Sequence, residues 1–371
     1  MTEQICIMTS VHRHDDVRIY HKEAKALRQK GFSVTILCPD YAGTDENGIC
    51  FVRVPMPKKR LQRILTASRR FYKAAKETGA DWFHFHDPEL LGAGKRLMRC
   101  GRVIYDVHED VPRQILNKPY LKPWIAKLVS RFFERREMRI AKKLYGIVAA
   151  VPAIYDRLRT VCRNTALVCN YPKLAEFEET DWIPPEQREN SVCYVGGITE
   201  IRGLFEMLDA VAGTEIKLIL AGDVETKALY ARAKQHPSWG NVEYLGFLGR
   251  KEVCGVLQRA KAGLVTLHPI PQYLISLPVK MFEYMTAQLP VIASDFSYWN
   301  EIVDDVQCGV CVDPLKPEEI RKAIEYIIRH PDTAREMGAS GKKAVFTKYN
   351  WENEAQKLFL LYRCEPEESI V

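Results

Sequence analysis

The stretch that decides the fold runs from Ser276 to Asp295 and has the sequence SLPVKMFEYMTAQLPVIASD. Its pattern predicts a loop, a short amphipathic helix, a tight turn and a buried strand, Val291 to Ala293. Pro278 suits the first turn of a helix, where its missing N–H is not needed. Lys280 and Glu283 lie three residues apart near the helix start, so we expect them to share one face.

This helix start has the chemistry of a nucleotide site. A helix N-terminus offers free N–H groups and a positive field, which suit a phosphate. A carboxylate one turn later can accept two hydrogen bonds from a ribose diol. An ordinary surface Lys–Glu pair has the same spacing, and for an isolated pair we would prefer that simpler interpretation. The pair is not isolated here, because a second phosphate-binding pattern lies upstream.

The upstream pattern is a strand beginning near Val192 that runs into Gly196 and Gly197, with a helix opening near Arg202. Glycine lets the backbone approach a ligand closely, and an arginine can clamp a diphosphate with two hydrogen bonds. The Gly-Lys-Ser/Thr of a Walker loop and the three-glycine dinucleotide fingerprint are both absent. Together with the downstream helix, the glycine pair predicts a binding site for a nucleotide diphosphate.

Several motifs in a fixed order connect the chain to a known family. Those of the second half are GGITEIRG at 196–203, LAGD at 220–223, VEYLGF at 242–247, and FEYM at 282–285 followed by LPVIASD at 289–295. With these motifs the chain resembles the family-4 retaining glycosyltransferases, which have the GT-B fold. In the first half, HFHDPEL at 84–90 and YDVHED at 105–110 are similar to a subgroup of bacterial surface-polysaccharide transferases.

The resemblance implies an α/β chain with two Rossmann-like domains facing across a cleft. We expect an acceptor-binding domain over 1–175, a nucleotide-sugar-binding domain over 176–350, and a C-terminal helix, 351–371, that packs back on the first domain. The alternation of strands and helices independently favours parallel sheets covered on both faces. A chain of 371 residues is also too long for one compact core.

The resemblance also implies a set of donor-binding residues. These are Gly196, Gly197, Arg202, Gly246, Phe247, Pro278, Lys280 and Glu283, with Glu283 on the ribose. Two positions depart from the family pattern. Ile275 stands where a first glutamate commonly contacts the donor sugar, and Gly197 stands where an arginine is frequent. Lys280 can supply the missing positive charge for the diphosphate.

The catalytic candidates follow a strand of the first half, because parallel sheets bind ligands at the carboxyl ends of their strands. His108 ends the strand in YDVHED, and in the resembled family a histidine at this point lies beside the donor sugar. Glu109 is the second candidate, as an acceptor-binding carboxylate or a base. The alternative for His108 is a structural histidine satisfied by Asp106 or Asp110.

Acceptor-binding candidates lie at the neighbouring strand ends: His12, Arg18, His84, His86, Asp87 and Glu89. We expect Arg18 to contact an acceptor phosphate, with a structural ion pair as the alternative. His84 and His86 alternate along a strand and point to one face, so with His12 and His14 they would permit a metal site. We expect neither a metal nor another cofactor, because GT-B transferases stabilise the leaving diphosphate with cationic side chains and helix termini.

The net charge of +7 is concentrated in two acid-poor helical stretches, near 58–76 and 113–143. The first carries Lys58, Lys59, Arg60, Arg63, Arg69, Arg70, Lys73 and Lys76; the second carries Arg113, Lys118, Lys122, Lys127 and Arg131 among aromatic residues that include Trp124 and Phe132. Basic residues beside aromatics suit an anionic membrane surface. Two amphipathic helices with solvated basic faces are the alternative. No recognised motif predicts nucleic-acid binding.

Location and activity follow from these patterns. No stretch is apolar enough to span a membrane, and the N-terminus lacks a secretion signal pattern, so we expect a cytoplasmic protein that is peripheral on the inner face of the membrane. The predicted activity is transfer of a sugar, with retention, from a nucleotide-diphosphate donor to a saccharide or lipid-linked saccharide in polysaccharide biosynthesis. A sugar-nucleotide 2-epimerase of the same fold and a non-catalytic nucleotide- or membrane-binding scaffold are the alternatives.

Overall fold

The chain forms two compact units. The computed structural model describes residues 2–57, 59–116, 121–177 and 182–363. Unit 1 comprises Met1–Asn170 together with Glu352–Val371, and unit 2 comprises Tyr171–Trp351. The boundaries that the sequence placed at 175 and 350 therefore lie at 170 and 351 in the structure.

Unit 1 is built on an eight-stranded sheet of order β3-β4-β2-β1-β5-β6-β7-β8, in which only the β3–β4 pair is antiparallel. Its strands are β1 (Gln4–Met8), β2 (Ser33–Cys38), β3 (Gly43–Thr44), β4 (Cys50–Arg53), β5 (Trp82–Phe85), β6 (Arg102–Val107), β7 (Gly146–Ala149) and β8 (Thr165–Leu167). The central strands are apolar and buried on both faces, as parallel sheets require. The short strands β3, β4 and β8 were not predicted from the sequence.

The helices of unit 1 cover both faces of this sheet. They are α1 (Lys25–Gln29), α2 (Arg60–Glu77), α3 (Leu91–Leu97), α4 (Val111–Leu116), α5 (Pro123–Ala141), α6 (Pro152–Leu158) and the final helix α15 (Trp351–Arg363). A π-helical segment, Val17–Ala24, leads into α1. The Asp16 side chain caps this segment by accepting hydrogen bonds from the backbone N–H groups of Arg18 and Ile19. In α15 the Tyr362 ring lies 4.9 Å from that of Trp82 on β5.

Unit 2 has a six-stranded parallel sheet of order β11-β10-β9-β12-β13-β14. The strands are β9 (Ser191–Val195), β10 (Lys217–Ala221), β11 (Val242–Gly246), β12 (Ala262–Val265), β13 (Val291–Ser294) and β14 (Gly309–Val312). The helices are α7 (Leu204–Ala210), α8 (Lys227–Lys234), α9 (Arg250–Arg259), α10 (Pro271–Leu274), α11 (Val279–Thr286), α12 (Ser297–Val306), α13 (Pro317–Arg329) and α14 (Pro331–Thr347). The strand order reverses at β9, which is where such sheets bind ligands.

The stretch from Ser276 to Asp295 folds as the sequence predicts. It contains α11, whose N-cap is Pro278, and strand β13. A hydrogen bond of 2.7 Å from the Trp299 indole N–H to the Ser276 carbonyl holds the loop before the helix. Three apolar residues that recur at helical spacing along this stretch are all buried: Phe282, Met285 and Leu289. This packing fixes the direction of the polar side chains on the helix.

Among the described residues, none of the helices combines the length and apolar character that a bilayer crossing requires.

A glycine series tests the packing behind the expected donor site. Gly203 has φ +81°, and a Cβ there would lie 2.1 Å from the Thr266 carbonyl oxygen, whereas Gly213 has φ +67° with open space around it. We expect Gly213→Ala to cost about 1–2 kcal/mol of unfolding free energy from backbone strain alone. Gly203→Ala should cost at least about 2 kcal/mol more, because the backbone of β12 must also move. Urea unfolding measures both variants, and equal losses would contradict this packing.

Candidate active site

Two glycines at the end of β9 lie directly against two cations. Gly196 has φ +124°, and a Cβ there would lie 3.1 Å from Lys280 Nζ. A Cβ on Gly197 would lie 3.1 Å from Arg202 Nη1. A side chain at either position would therefore fill the space beside a positive charge. The structure thus brings Lys280 together with three donor-binding candidates that precede it by more than 70 residues of sequence.

The amine of Lys280 is a polar group whose hydrogen bonds the described residues leave unsatisfied. Its Nζ is buried and has no hydrogen-bond partner among the described residues. It lies 3.6 Å from the centroid of the Tyr194 ring, a contact that compensates only part of a lost hydration shell. Burial, and then the charge of Arg202, lower the pKa of Lys280 well below its usual value. An anion beside Nζ would satisfy the ammonium group and restore its charge.

Arg202 is held in place by its neighbours. Its Nη1 donates a 3.0 Å hydrogen bond to the Gly197 carbonyl, and its Nε donates one of 3.2 Å to the Tyr273 hydroxyl. The guanidinium is thereby anchored on one edge, at the point where the chain turns from β9 into α7. A preorganised cation of this kind stabilises developing charge without reorganisation.

Glu283 is buried at 7% exposure and is already engaged in an ion pair. Arg250 Nη1 donates a 2.7 Å hydrogen bond to Glu283 Oε1, and the same guanidinium also pairs with Glu176. Arg250 was not predicted from the sequence as a site residue, although it lies only three residues after Phe247. A ribose diol bound at Glu283 would either share this carboxylate with Arg250 or displace the Arg250 guanidinium from it.

The remaining donor candidates lie around the same strand ends. Gly246 ends β11 with φ +66°, and its carbonyl accepts a 2.7 Å hydrogen bond from the Gly222 N–H. Phe247 is 76% exposed, so its ring is available for stacking. Pro278 precedes α11, and Ile275 follows α10 directly. A half-buried isoleucine at this point offers a sugar no hydrogen bond.

In unit 1, the acidic residues after β5 hold the loop that follows β1. Asp87 Oδ2 accepts hydrogen bonds from the Ser10 N–H at 2.6 Å and from the Thr9 hydroxyl at 3.0 Å. Glu89 Oε1 accepts one from the Ser10 hydroxyl at 2.9 Å. The His12 ring lies on the same loop, with Nε2 3.6 Å from Asp87 Oδ1. Three acceptor candidates therefore come together at neighbouring strand ends, and Asp87 shapes the loop from a buried position.

The other three acceptor candidates are buried within unit 1. Arg18, His84 and His86 have exposures of 5%, 0% and 3%. The two histidines point to the face of β5 that is covered by the Val17–Ala24 segment and α15. Arg18 forms ion pairs with Asp106 and Glu23, which is the structural alternative that the sequence left open. No sequence pattern signals the pair with Asp106, which lies 88 positions from Arg18.

The set of four histidines considered for a metal is not assembled. His14 Nδ1 lies 2.9 Å from Asp40 Oδ2 on a different part of the loop. His84 and His86 instead stack on each other, with ring centroids 4.7 Å apart.

His108 lies just after β6 and is partly accessible, with 19% of its side chain exposed. Its Nε2 lies 3.1 Å from Asp106 Oδ1 and 3.0 Å from His86 Nδ1. Glu109 is exposed, and its Oε2 accepts a 2.7 Å hydrogen bond from Gln114. Both catalytic candidates thus lie at the carboxyl end of the sheet, and one edge of His108 is tied to buried groups.

Sequence comparisons identify both halves of the chain. The profile of the Glycosyltransferase Family 4 matches residues 17–169, and that of the glycosyl transferases group 1 matches residues 176–344. The D-rhamnosyltransferase WbpZ of Pseudomonas aeruginosa is 25% identical over 291 residues, which cover 75% of this chain and 71% of that protein. The phosphatidyl-myo-inositol mannosyltransferase of Mycobacterium leprae is 22% identical over 363 residues, covering 91% of this chain and 90% of that protein.

Solved structures share the fold of this chain. HepE of Anabaena, solved in complex with UDP, superposes with a TM-score of 0.74 at 12% identity, and the match covers 98% of this chain and 100% of that one. Two parallel-sheet units, the matching profiles of both halves and this superposition agree with one another. The chain is a glycosyltransferase of the GT-B fold, with a family-4 domain before a group 1 domain.

Proposed function

We propose that the protein transfers a sugar, with retention, from a nucleotide-diphosphate donor to a saccharide or lipid-linked saccharide acceptor in polysaccharide biosynthesis. The observation that carries the proposal is the buried Nζ of Lys280, which lies between Tyr194 and Gly196 and has no hydrogen-bond partner among the described residues. Burying a lysine without a partner is costly, so its presence at this point favours a ligand that supplies negative charge. A diphosphate has the required charge, and the two glycines provide the space for it.

The donor would be held by groups from three strand ends of unit 2. Lys280, Arg202 and the N-terminus of α11 would stabilise the charge that develops on the diphosphate as the glycosidic bond breaks. Glu283 would accept hydrogen bonds from the ribose diol, and Phe247 would stack on the base. The UDP bound to HepE makes a uridine nucleotide the first ligand to test. No metal or other cofactor is proposed for this step.

Retention requires the acceptor oxygen to bond to the anomeric carbon on the face that the diphosphate leaves. The carbon–oxygen bond to the diphosphate breaks, and the acceptor hydroxyl proton passes to a departing diphosphate oxygen. In unit 1, His108 would contact a sugar hydroxyl. His12, Asp87, Glu89 and Glu109 would bind or orient the acceptor.

Activity measurements on the purified full chain test the proposal. Glu283→Gln should weaken UDP binding at least about tenfold, because a buried carboxylate that accepts hydrogen bonds contributes about 1.5–3 kcal/mol. Isothermal titration measures the affinity, and product analysis with a panel of UDP-sugars measures transfer. Glu200→Gln is the matched control, since Glu200 forms an exposed pair with Arg232.

Two results would count against this function. Unchanged UDP affinity in Glu283→Gln would remove the ribose assignment. Conversion of a UDP-sugar without any acceptor, into its 2-epimer, would replace transfer by epimerisation.

Lys280 generates a second prediction, on proton uptake. Its pKa is lowered in the free protein, and a diphosphate beside Nζ should raise it, so binding should take up a proton at about pH 8, where the terminal phosphate is already ionised. Titrations in buffers of different ionisation enthalpy measure this uptake. Lys280→Met should abolish it and weaken UDP binding at least about tenfold.

The same variant should stabilise the free protein. Removing a buried amine that has a lowered pKa and no hydrogen-bond partner among the described residues should raise the free energy of unfolding by about 1 kcal/mol or more, and Tm by about 2–4 °C. Lys322→Met, on the exposed face of α13, is the control and should change neither quantity. A Lys280→Met protein that binds UDP like the original would contradict the site.

We further propose that α5 docks the protein on the inner, cytoplasmic face of a membrane. Trp124, Leu128 and Phe132 recur at every fourth residue and are 66%, 63% and 70% exposed. Exposed basic residues accompany this apolar stripe along the helix: Lys127, Arg131, Arg135, Arg136 and Arg139. An amphipathic helix with this combination binds anionic lipid through both burial and charge. Two basic residues named from the sequence, Lys58 and Lys118, lie outside the described residues.

Binding to lipid vesicles tests whether the apolar stripe of α5, formed by Trp124, Leu128 and Phe132, docks on a membrane. The triple variant Trp124→Ser, Leu128→Ser, Phe132→Ser should lose most of its co-flotation with phosphatidylglycerol vesicles, and added salt should weaken the binding of the original protein. The control is Leu315→Ser with Phe346→Ser, which removes two exposed apolar side chains of unit 2. Equal flotation of the triple variant and the original protein would contradict this docking surface.

A further inference from the structure

Behind His108 lies a fully buried cluster of charged and polar side chains in unit 1. Arg18 Nε lies 2.8 Å from Glu23 Oε1, and its Nη2 lies 2.9 Å from Asp106 Oδ2. Its Nη1 donates a 3.0 Å hydrogen bond to the Val168 carbonyl. The Arg18 guanidinium is therefore committed on all sides to groups inside the unit.

Arg18 supplies the positive charge of this cluster. Glu23, His84, His86 and Asp106 each place a ligand atom within 4.8 Å of the others, and Arg18 contacts both carboxylates. Against the effect of burial, Arg18 holds the pKa of Asp106 well below its usual range. Burial, and then the charge of Asp106, raise the pKa of Glu23 well above its usual value. Asp106, which accepts hydrogen bonds from Nε and Nη2 of Arg18, is thus an anion.

An ionised Asp106 decides where the proton lies between two histidines. His86 Nδ1 and His108 Nε2 are 3.0 Å apart, so one of these nitrogens donates and the other accepts. The same His108 Nε2 lies 3.1 Å from Asp106 Oδ1, which can only accept. If His86 donated, the lone pair of His108 Nε2 would face a carboxylate. The proton therefore belongs to His108 Nε2 and is shared by two acceptors.

The rest of the cluster agrees with this arrangement. A neutral His86 that accepts at Nδ1 must carry its proton on Nε2, which lies 3.6 Å from Glu23 Oε2. Burial lowers the pKa of His86 well below its usual value, so the ring is neutral. Among the described residues, neither His86 Nε2 nor Glu23 Oε2 has another hydrogen-bond partner.

We propose that Asp106, assisted by His86, fixes His108 as its Nε2–H tautomer, so that Nδ1 presents a hydrogen-bond acceptor to a sugar hydroxyl. The sugar hydroxyl rests on the proposed function, whereas the tautomer rests on the buried contacts alone. Asp106 and His86 are positioning residues, because each acts on the substrate only through the His108 ring. His12 is the other titratable ring that faces His108, at 5.8 Å between centroids.

The tautomer is measured by ¹H–¹⁵N correlation spectra of the full chain labelled at histidine, with the His108 signals assigned from a His108→Asn variant. We expect a neutral ring protonated at Nε2 at neutral pH. A ring protonated at Nδ1 would overturn the proposal. A ring that is doubly protonated at neutral pH would overturn it as well.

Two variants separate positioning from stability. Asp106→Asn replaces an acceptor by an amide that can donate to Nε2, so it should shift His108 toward the Nδ1–H form and lower kcat at least about tenfold while UDP affinity stays unchanged. Glu137→Gln removes another buried carboxylate of unit 1, one that Arg157 Nη1 approaches to 2.6 Å. Both substitutions should lower Tm, but Glu137→Gln should leave the His108 tautomer unchanged.

The outcomes also separate this inference from the proposed function. Full kcat in an Asp106→Asn protein whose tautomer has shifted would refute the positioning role. A protein that shows the Nε2–H tautomer but transfers no sugar would refute the proposed function and leave the tautomer assignment intact.

Discussion

The proposed function depends on one interaction in unit 2 that only a ligand can complete. This interaction is the pairing of Lys280, which lies beside Arg202, with an anion. Packing of α11 against the core directs the lysine into a buried position over Tyr194, where none of the described protein groups accepts its hydrogen bonds. Gly196 and Gly197 keep the adjoining volume free of side chains. The protein thus holds a buried amine, whose pKa is lowered by burial, at the point where a leaving diphosphate needs a cation.

Unit 1 handles buried charge in the opposite way. There Arg18 contacts Asp106, Glu23 and a backbone carbonyl, so its charge is compensated inside the unit. Such a network gives rigidity and a defined proton arrangement, and it transmits both to a partly exposed residue, His108. Unit 2 therefore leaves a basic side chain, Lys280, for a ligand to pair with. In unit 1 the buried charged groups pair with one another and orient the His108 ring.

The parts of this structure that the sequence predicts are local. The spacing of Phe282, Met285 and Leu289 predicts α11 and its buried face, and the glycine pair predicts the turn after β9, because both depend on neighbouring residues. Arg250, by contrast, reaches Glu283 from 33 positions away, and Arg18 meets Asp106 from 88. Such pairs are set by the order of strands in each sheet, which no periodicity encodes, so the partners of Arg250 and Arg18 could not be predicted from local patterns.

A crystal structure of the full chain with UDP is the most direct test of the diphosphate site. The account predicts diphosphate oxygens within hydrogen-bonding distance of Lys280 Nζ and the Arg202 guanidinium, next to the backbone of Gly197. A nucleotide bound elsewhere, with Nζ of Lys280 still enclosed against Tyr194 and in contact with no anion, would contradict it.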